Sequence, residues 1–167
     1  MQQQKLEMLT GEVFERIAKQ WMLITAGPVE HCNTMTASWG GLGILWGKPV
    51  STIYIRPQRY TREFVEREDY YTLSFLPEAY RPQLNYCGSR SGREGDKFEA
   101  CGLTKAAADC GAAYVAEAEL VLVCRKLYWQ DLEPSHFLTP EIAEKCYPQK
   151  DYHRLYIGEI EQALTRD

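Results

Sequence analysis

Apolar residues along the chain fall in short runs separated by Gly, Pro and polar positions, a pattern typical of β-strands joined by turns. The run at 50–55 is rich in β-branched and aromatic residues, and the run at 21–26 ends at Gly27-Pro28. Within 114–129, alternating Ala and Glu give way to continuous apolar sequence, which predicts a strand that starts half-exposed and becomes sandwiched. The predicted strands are 21–26, 31–38, 50–55, 70–76, 114–129 and 152–160.

Helical patterns are short and lie between these strands. Thr61 is predicted to cap a helix that turns Phe64 and Val65 inward, and Thr139-Pro140 marks another helix start. A helix that starts at 10–12 and carries Val13, Phe14 and Ile17, and a second helix over 82–87, complete the set. Among the glycines, Gly40, Gly41 and Gly43 predict a loop, and Gly158 predicts a close backbone approach within the last strand.

Strands outnumber helices, and few strand pairs are separated by the helical crossover that a parallel sheet requires. We therefore predict a mainly β fold, an antiparallel barrel with small peripheral helices. The length of 167 residues fits one domain over 1–167, because no repeat, low-complexity tract or linker divides the sequence.

Composition excludes several functions. The formal net charge of -4 argues against nucleic-acid binding, and no apolar run reaches the roughly 18 residues that a membrane-spanning helix needs. The start of the sequence resembles no signal peptide, so we expect a cytoplasmic protein. Six cysteines and three histidines show neither a CxxC pair nor zinc-ligand spacing, which predicts reduced thiols and no metal site.

Candidate chemistry begins with the segment 33–39 (Asn-Thr-Met-Thr-Ala-Ser-Trp). On a strand, Thr34, Thr36 and Ser38 share one face, while an amide and an aromatic ring lie on the other. Such uncharged donors and acceptors suit the edge of a heteroaromatic ring. A surface strand with Thr and Ser facing water fits the same pattern equally well.

Two basic segments offer sites for an anion. Residues 56–61 place Arg56 and Arg59 at a predicted helix start, where free N–H groups and the helix dipole favour negative charge. Residues 87–98 combine three glycines, two serines and the cations Arg90, Arg93 and Lys97, which could cradle a phosphate. A solvated turn in the first case and a flexible surface loop in the second remain open.

The three segments together resemble the flavin reductase-like family, also called FMN-binding split barrels or the flavoredoxin-like group. The likeness rests on 33–39, on Arg56-Pro57-x-Arg59-Tyr60-Thr61, on Gly88-x-x-Ser91-Gly92-x-x-x-Asp96-Lys97 and on His153-x-x-Tyr156-Ile157-Gly158-Glu159-Ile160. This resemblance implies a six-stranded antiparallel Greek-key split barrel that forms a homodimer, with one FMN per subunit near the interface.

Residues that match the family's motifs would bind FMN. Those expected at the ring and ribityl chain are Asn33, Thr34, Met35, Thr36, Ala37, Ser38 and Trp39. Those expected at the phosphate or ribityl region are Arg56, Tyr60 and Thr61. Those expected around the phosphate are Ser89, Arg90, Ser91 and Lys97. The resemblance also places His153 near the flavin, from either subunit. Trp46 and Trp129 are expected to be buried, although an opening for substrate could also contain them.

The resemblance implies an oxidoreductase in which FMN N5 accepts a hydride from NADH or NADPH. No catalytic acid, base or nucleophile is predicted. An alternative is a flavoredoxin-like electron carrier that exchanges electrons with a redox protein partner and has no real nicotinamide turnover. A split barrel that has lost its flavin and acts as a dimeric scaffold is a further possibility.

Overall fold

Ten strands and several short helices form the part of the chain that the computed structural model describes, residues 2–4 and 13–166. The strands are β1 (Gln2–Gln4), β2 (Met22–Ala26), β3 (Asn33–Ala37), β4 (Gly41–Leu45), β5 (Lys48–Ile55), β6 (Tyr70–Phe75), β7 (Lys105–Ala107), β8 (Ala113–Val115), β9 (Leu120–Asp131) and β10 (Arg154–Thr165). The α-helices are α1 (Val13–Glu15), α2 (Thr61–Arg67), α3 (Arg81–Ser89), α4 (Lys97–Cys101) and α5 (Pro140–Cys146). A π-helical turn covers Arg16–Gln20, and 3₁₀ turns cover Glu78–Tyr80 and Pro134–His136.

The main sheet is antiparallel and runs in the order β3-β2-β6-β9-β10-β5-β4, with β1 paired to β10. Strands β7 and β8 form a separate two-stranded sheet. The ends of the path, β3 and β4, are joined by residues 38–40, so the sheet curls into a barrel that is open between them. The predicted fold class is confirmed. The main sheet has eight strands, seven along this path and β1 beside β10, where six were predicted.

Apolar side chains fill the inside of this barrel. Met22, Ile53, Leu73, Leu122 and Tyr156 come from five different strands and pack in one buried cluster. The cluster also contains Phe64 and Val65 of α2, as their spacing predicted. Burial of this apolar area is the main force that stabilises the curled sheet.

A second buried cluster lies on the outer face of the sheet. It joins Leu23 and Val121 of the sheet to Leu84 and Cys87 of α3 and Phe98 of α4. This packing holds α3 and α4, and the loop between them, against strands β2 and β3.

Strand β4 corrects the predicted loop at Gly40, Gly41 and Gly43. Residues Gly41–Leu45 pair with Lys48–Thr52 of β5 across a two-residue turn. The turn residues Trp46 and Gly47 both have positive φ, 53° and 69°, as in the hairpin turns that match strand twist. Gly41 and Gly43 therefore lie in an edge strand, whereas Gly40 stays in the connection before it.

The predicted strand 114–129 is two strands with a turn between them. The Glu117 carboxylate accepts hydrogen bonds from the Thr104 backbone N–H at 3.0 and 3.1 Å, and the Ala118 N–H donates to the Val115 carbonyl. These bonds replace a sheet ladder at this point, so the Ala/Glu alternation does not mark a strand face.

The remaining predicted strands, and the helices predicted over 82–87 and after Thr139, are present with shifted ends. The predicted helix start at 10–12 lies outside the described residues, and beyond it Phe14 is exposed while Ile17 is buried. The close approach at Gly158 is confirmed, because a Cβ there would lie 2.4 Å from the Tyr71 hydroxyl oxygen. No helix within the described ranges is long and apolar enough to cross a membrane.

Candidate functional site

A cavity of about 340 Å³ opens where β3, the segment before α2 and the loop between α3 and α4 meet. Its volume lies at the lower end of the range of ligand pockets. The lining residues are Met35, Arg56, Gln58, Arg59, Tyr60, Thr61, Ser89, Arg90, Ser91, Gly92 and Lys97. Sequence segments that are far apart in the chain are thus brought together here.

The lining is strongly cationic. It contains four basic residues, Arg56, Arg59, Arg90 and Lys97, and no Asp or Glu. Arg56 is ion-paired with Asp151 and donates to the Cys146 carbonyl at 2.8 Å. Within the described residues, none of the other three cations has a carboxylate within 4.0 Å. Their charge is uncompensated, and an anion in the cavity would balance it.

Lys97 carries this charge at the base of the cavity. The residue is only 4% exposed, and its Nζ donates to the Cys87 carbonyl at 2.9 Å. Burial, together with the charge of the nearby Arg59 guanidinium, lowers the pKa of Lys97 to about 8. Burial also lowers the pKa of Arg59. A bound anion would raise both pKa values again, because it stabilises the protonated forms.

The start of α2 adds few free N–H groups to the charged side chains of the cavity. The N–H groups of Arg62 and Glu63 at the start of α2 donate to the carbonyls of Arg59 and Tyr60, so they are already used. Thr61 is the first helical residue and makes no cap, contrary to the sequence prediction. Its hydroxyl accepts a hydrogen bond from Asn33 Nδ2 at 2.8 Å and ties β3 to α2.

Two glycines allow the end of α3 and the basic loop that follows it, residues 90–96, to pack on β3. A Cβ at Gly92 would lie 2.0 Å from Asn33 Oδ1, and one at Gly88 would lie 3.3 Å from Thr36 Cβ. These glycines therefore allow a close approach to the strand, and Gly92 also lines the cavity. Arg59 fixes the same loop by donating to the Gly88 carbonyl at 2.5 Å.

The threonine hydroxyls of β3 bond within the protein and do not form a row of free groups. Thr34 accepts from Thr25 at 2.9 Å and donates to the Ile24 carbonyl at 3.2 Å. Thr36 donates to the Leu84 carbonyl at 2.5 Å. The free polar groups of β3 are instead on its backbone, because the strand ends the sheet and pairs with β2 alone in the described chain.

The other predicted site residues lie beside the cavity. Asn33, Thr34 and Ala37 are buried within β3, Thr36 is half-buried, and Ser38 and Trp39 are exposed directly after the strand. The Trp39 ring meets the His153 ring edge-on at 5.5 Å. These residues extend the site along β3, toward an aromatic cluster at the start of β10.

His153 is a neutral member of that cluster. It is 6% exposed, and its Nδ1 is 2.7 Å from the Tyr147 hydroxyl. Burial, together with the charge of Arg56, lowers the pKa of His153 to about 4. Because Arg56 also stacks over the Tyr147 ring at 5.2 Å, it connects the cationic cavity to the aromatic cluster.

The cavity contains eight of the predicted site residues, namely Met35, Arg56, Tyr60, Thr61, Ser89, Arg90, Ser91 and Lys97. It also contains Gln58, Arg59 and Gly92, which were not among the predicted residues. Arg59 and Gly92 lie inside the motifs that carried the family resemblance, so the sequence held the signal for both.

A family model for the flavin reductase like domain matches residues 14–167, nearly the whole chain. The chain belongs to the flavin reductase-like family. The comparison with curated proteins gives no significant match.

Solved structures with the same fold include three that span most of this flavin reductase-like chain. An FMN-binding protein from Thermus thermophilus with bound 1-cyclohex-2-enone has a TM-score of 0.70 and 18% identity over 99% of this chain and 80% of its own. A flavoredoxin from Methanosarcina acetivorans has a TM-score of 0.69 and 19% identity over 89% and 69%. An NADH:FAD oxidoreductase from Streptomyces globisporus, solved with NAD and FAD fragments, has a TM-score of 0.66 and 16% identity over 88% and 74%.

Proposed function

We propose that this protein is an FMN-binding oxidoreductase that takes its electrons from NADH or NADPH. The observation that carries the proposal is the cavity with three uncompensated cations beside the free edge of β3. Membership of the flavin reductase-like family and the names of its structural neighbours support the same cofactor and donor.

The cationic cavity would hold the FMN phosphate. Arg59, Arg90 and Lys97 supply charged donors, and the Ser89 and Ser91 hydroxyls lie beside them. Charge-assisted hydrogen bonds of this kind are short and strong. The cavity thus fits a phosphate dianion better than a neutral group.

The ring and ribityl chain would lie along β3. Its free backbone edge offers alternating N–H donors and C=O acceptors, which match the mixed polar edge of a flavin ring. Met35 borders the cavity, and Trp39 and the neutral His153 supply aromatic surface beyond it. The predicted residues from Asn33 to Trp39 would serve mainly through this backbone and these side chains.

When bound, FMN would supply the redox chemistry by accepting a hydride at N5. The protein's part would be to position the cofactor, and the positive charge of Lys97 would favour the negative charge that reduction adds.

We propose that two copies of the chain associate as a homodimer near the flavin site. The side chains of Ile44 and Trp46 on the β4–β5 hairpin and of Tyr128 and Trp129 on β9 are exposed. The burial expected for Trp46 and Trp129 is wrong for the single chain, where they are 59% and 52% exposed. A second copy would remove this apolar surface from water. Nicotinamide donors fit a cytoplasmic location, which is part of the proposal.

Anaerobic addition of NADH or NADPH to the FMN-loaded protein tests the activity. The visible flavin absorbance should bleach rapidly with at least one of the two nucleotides. Slow bleaching with both nucleotides, but fast bleaching with a reduced ferredoxin-like protein, would replace the reductase by the flavoredoxin-like carrier. A protein that stays colourless after incubation with FMN would overturn both functions in favour of a scaffold.

A further inference from the structure

Two cysteine thiols contact each other at the two ends of the segment that carries the cavity residues Ser89, Arg90, Ser91 and Lys97. Cys87 Sγ on α3 lies 3.9 Å from Cys101 Sγ on α4, and both thiols are free. Within the described chain, no other two thiols share a hydrogen-bond contact. The separation in sequence is 14 residues, and the segment between them includes the basic loop.

The same two cysteines frame the loop that borders the cavity. Cys87 comes directly before Gly88 and Ser89, and its carbonyl accepts the hydrogen bond from Lys97 Nζ. Cys101 lies one helical turn after Lys97, so both side chains are on one face of α4. Cys87 therefore contacts this face of α4 through its backbone and through its thiol.

We propose that Cys87 and Cys101 form a reversible disulfide, a modification site that joins α3 to α4 and fixes the loop at 90–96 between them. The inference goes beyond flavin binding and does not depend on it. The oxidant is a low-molecular-weight disulfide, and the reductant is the corresponding thiol.

The exchange balances in two steps. The Cys101 thiolate attacks one sulfur of the small disulfide, which forms a mixed disulfide and releases the first small thiol. The Cys87 thiolate then attacks the Cys101 sulfur, which closes the Cys87–Cys101 bond and releases the second small thiol. The protein loses two electrons and two protons, and the small disulfide gains them as two thiols.

Burial decides which cysteine reacts first and how fast. Cys87 is fully buried, while Cys101 is half-buried and open to a small reagent. Burial raises the pKa of both thiols, that of Cys87 to about 12. Little thiolate is present at neutral pH, so oxidation should be slow there and up to tenfold faster per pH unit as the medium becomes more alkaline.

Peptide mapping of the whole protein after incubation with oxidised glutathione at pH 8.5 tests the bond. The wild type should yield a Cys87–Cys101 cross-linked peptide that disappears after reduction. The Cys110→Ser variant, which removes an exposed thiol, should still form it, and Cys101→Ser should not. Glutathione adducts on the wild type without the Cys87–Cys101 peptide would overturn the proposal, and this result needs no variant.

Trypsin cleavage after Arg90 and Arg93 tests the effect on the loop. Without added flavin, the oxidised wild type should be cleaved there at least threefold more slowly than the reduced protein. Cys101→Ser should be cleaved at the same rate before and after treatment with oxidised glutathione. Equal rates for oxidised and reduced wild type would show that the disulfide does not fix the loop, whatever the outcome of the FMN experiments.

Discussion

Lys97 gives the candidate phosphate site a pH dependence that can be measured. In the free protein its pKa is lowered to about 8, and a bound phosphate would raise it, so binding requires the protonated amine. The FMN dissociation constant should therefore be nearly constant between about pH 7 and 7.5. Above pH 8 it should increase by up to about tenfold per pH unit, which fluorescence titration at several pH values would detect.

The Lys97→Met variant is the matched control for this titration. It removes the charge while it keeps an unbranched side chain, so FMN binding at pH 7 should weaken and the slope above pH 8 should disappear. An unchanged slope in Lys97→Met would assign the pH dependence to a different group.

His153 makes a separate prediction about stability in acid. Its pKa is lowered to about 4 in the folded chain, against an ordinary value near 6.5, so the unfolded chain takes up the proton first as the pH falls. Stability should decline between pH 6.5 and 4, by at most about 3 kcal/mol from this residue. Urea unfolding of the wild type and of His153→Asn over this range measures the effect.

Asn can keep a hydrogen bond to Tyr147 but does not titrate, so the decline should be smaller in His153→Asn. Other acidic groups contribute equally to both proteins. Parallel curves for wild type and variant would contradict the proton linkage assigned to His153.

The sequence predicted site residues best where their chemistry is a charge. Arg56, Arg90 and Lys97 do line one cavity. The sequence predicted site residues less well where their side chains are hydroxyls, because the pattern of hydroxyls does not reveal which of them bond within the chain. The Thr36 hydroxyl, for example, bonds to Leu84, a residue 48 positions away.

At the scale of elements, the packing of the α3–α4 loop on β3 depends on Gly92. An added Cβ would overlap Asn33 Oδ1, so either the loop must move or the Asn33–Thr61 hydrogen bond must break. Gly92→Ala should reduce the free energy of unfolding by about 1–3 kcal/mol and weaken FMN binding by at least tenfold. Gly43→Ala on β4, where a Cβ meets nothing within 4 Å, is the matched control.

Gly43→Ala should change stability by less than about 0.5 kcal/mol and leave FMN binding intact. Urea unfolding and flavin titration on both variants provide the comparison. Wild-type behaviour of Gly92→Ala would show that the loop does not depend on this contact.

Strands that carry apolar residues were predictable, whereas the elements set by distant contacts were not. β2, β5 and β6 follow their hydrophobic runs within one or two residues. β4 was missed because its glycines indicate a loop until the Trp46-Gly47 turn pairs them with β5. The turn before β9 was missed because the Glu117 carboxylate bonds to Thr104, a contact that no local pattern contains.

At the scale of the whole molecule, Trp46 tests the proposed homodimer. Asn tolerates the positive φ of the hairpin turn, so Trp46→Asn keeps the turn and removes the exposed ring. Sedimentation equilibrium should give the wild type a mass of twice 19.3 kDa. The dimer dissociation constant of Trp46→Asn should be about 30-fold higher or more, as for a central aromatic contact.

Phe14→Asn is the control, because Phe14 is also exposed but lies on α1, outside the β4–β5 hairpin. It should sediment like the wild type. A wild-type mass of 19.3 kDa at all concentrations would contradict the homodimer.

Binding of FMN compared with riboflavin tests the proposed phosphate site most directly. The two ligands share the ring and ribityl chain, so a difference in affinity reports on the phosphate. Charge-assisted bonds to Arg59, Arg90 and Lys97 should make FMN bind about 30-fold more tightly than riboflavin, or more. Equal affinities, or no binding of FMN, would contradict the assignment of the cationic cavity to a flavin phosphate.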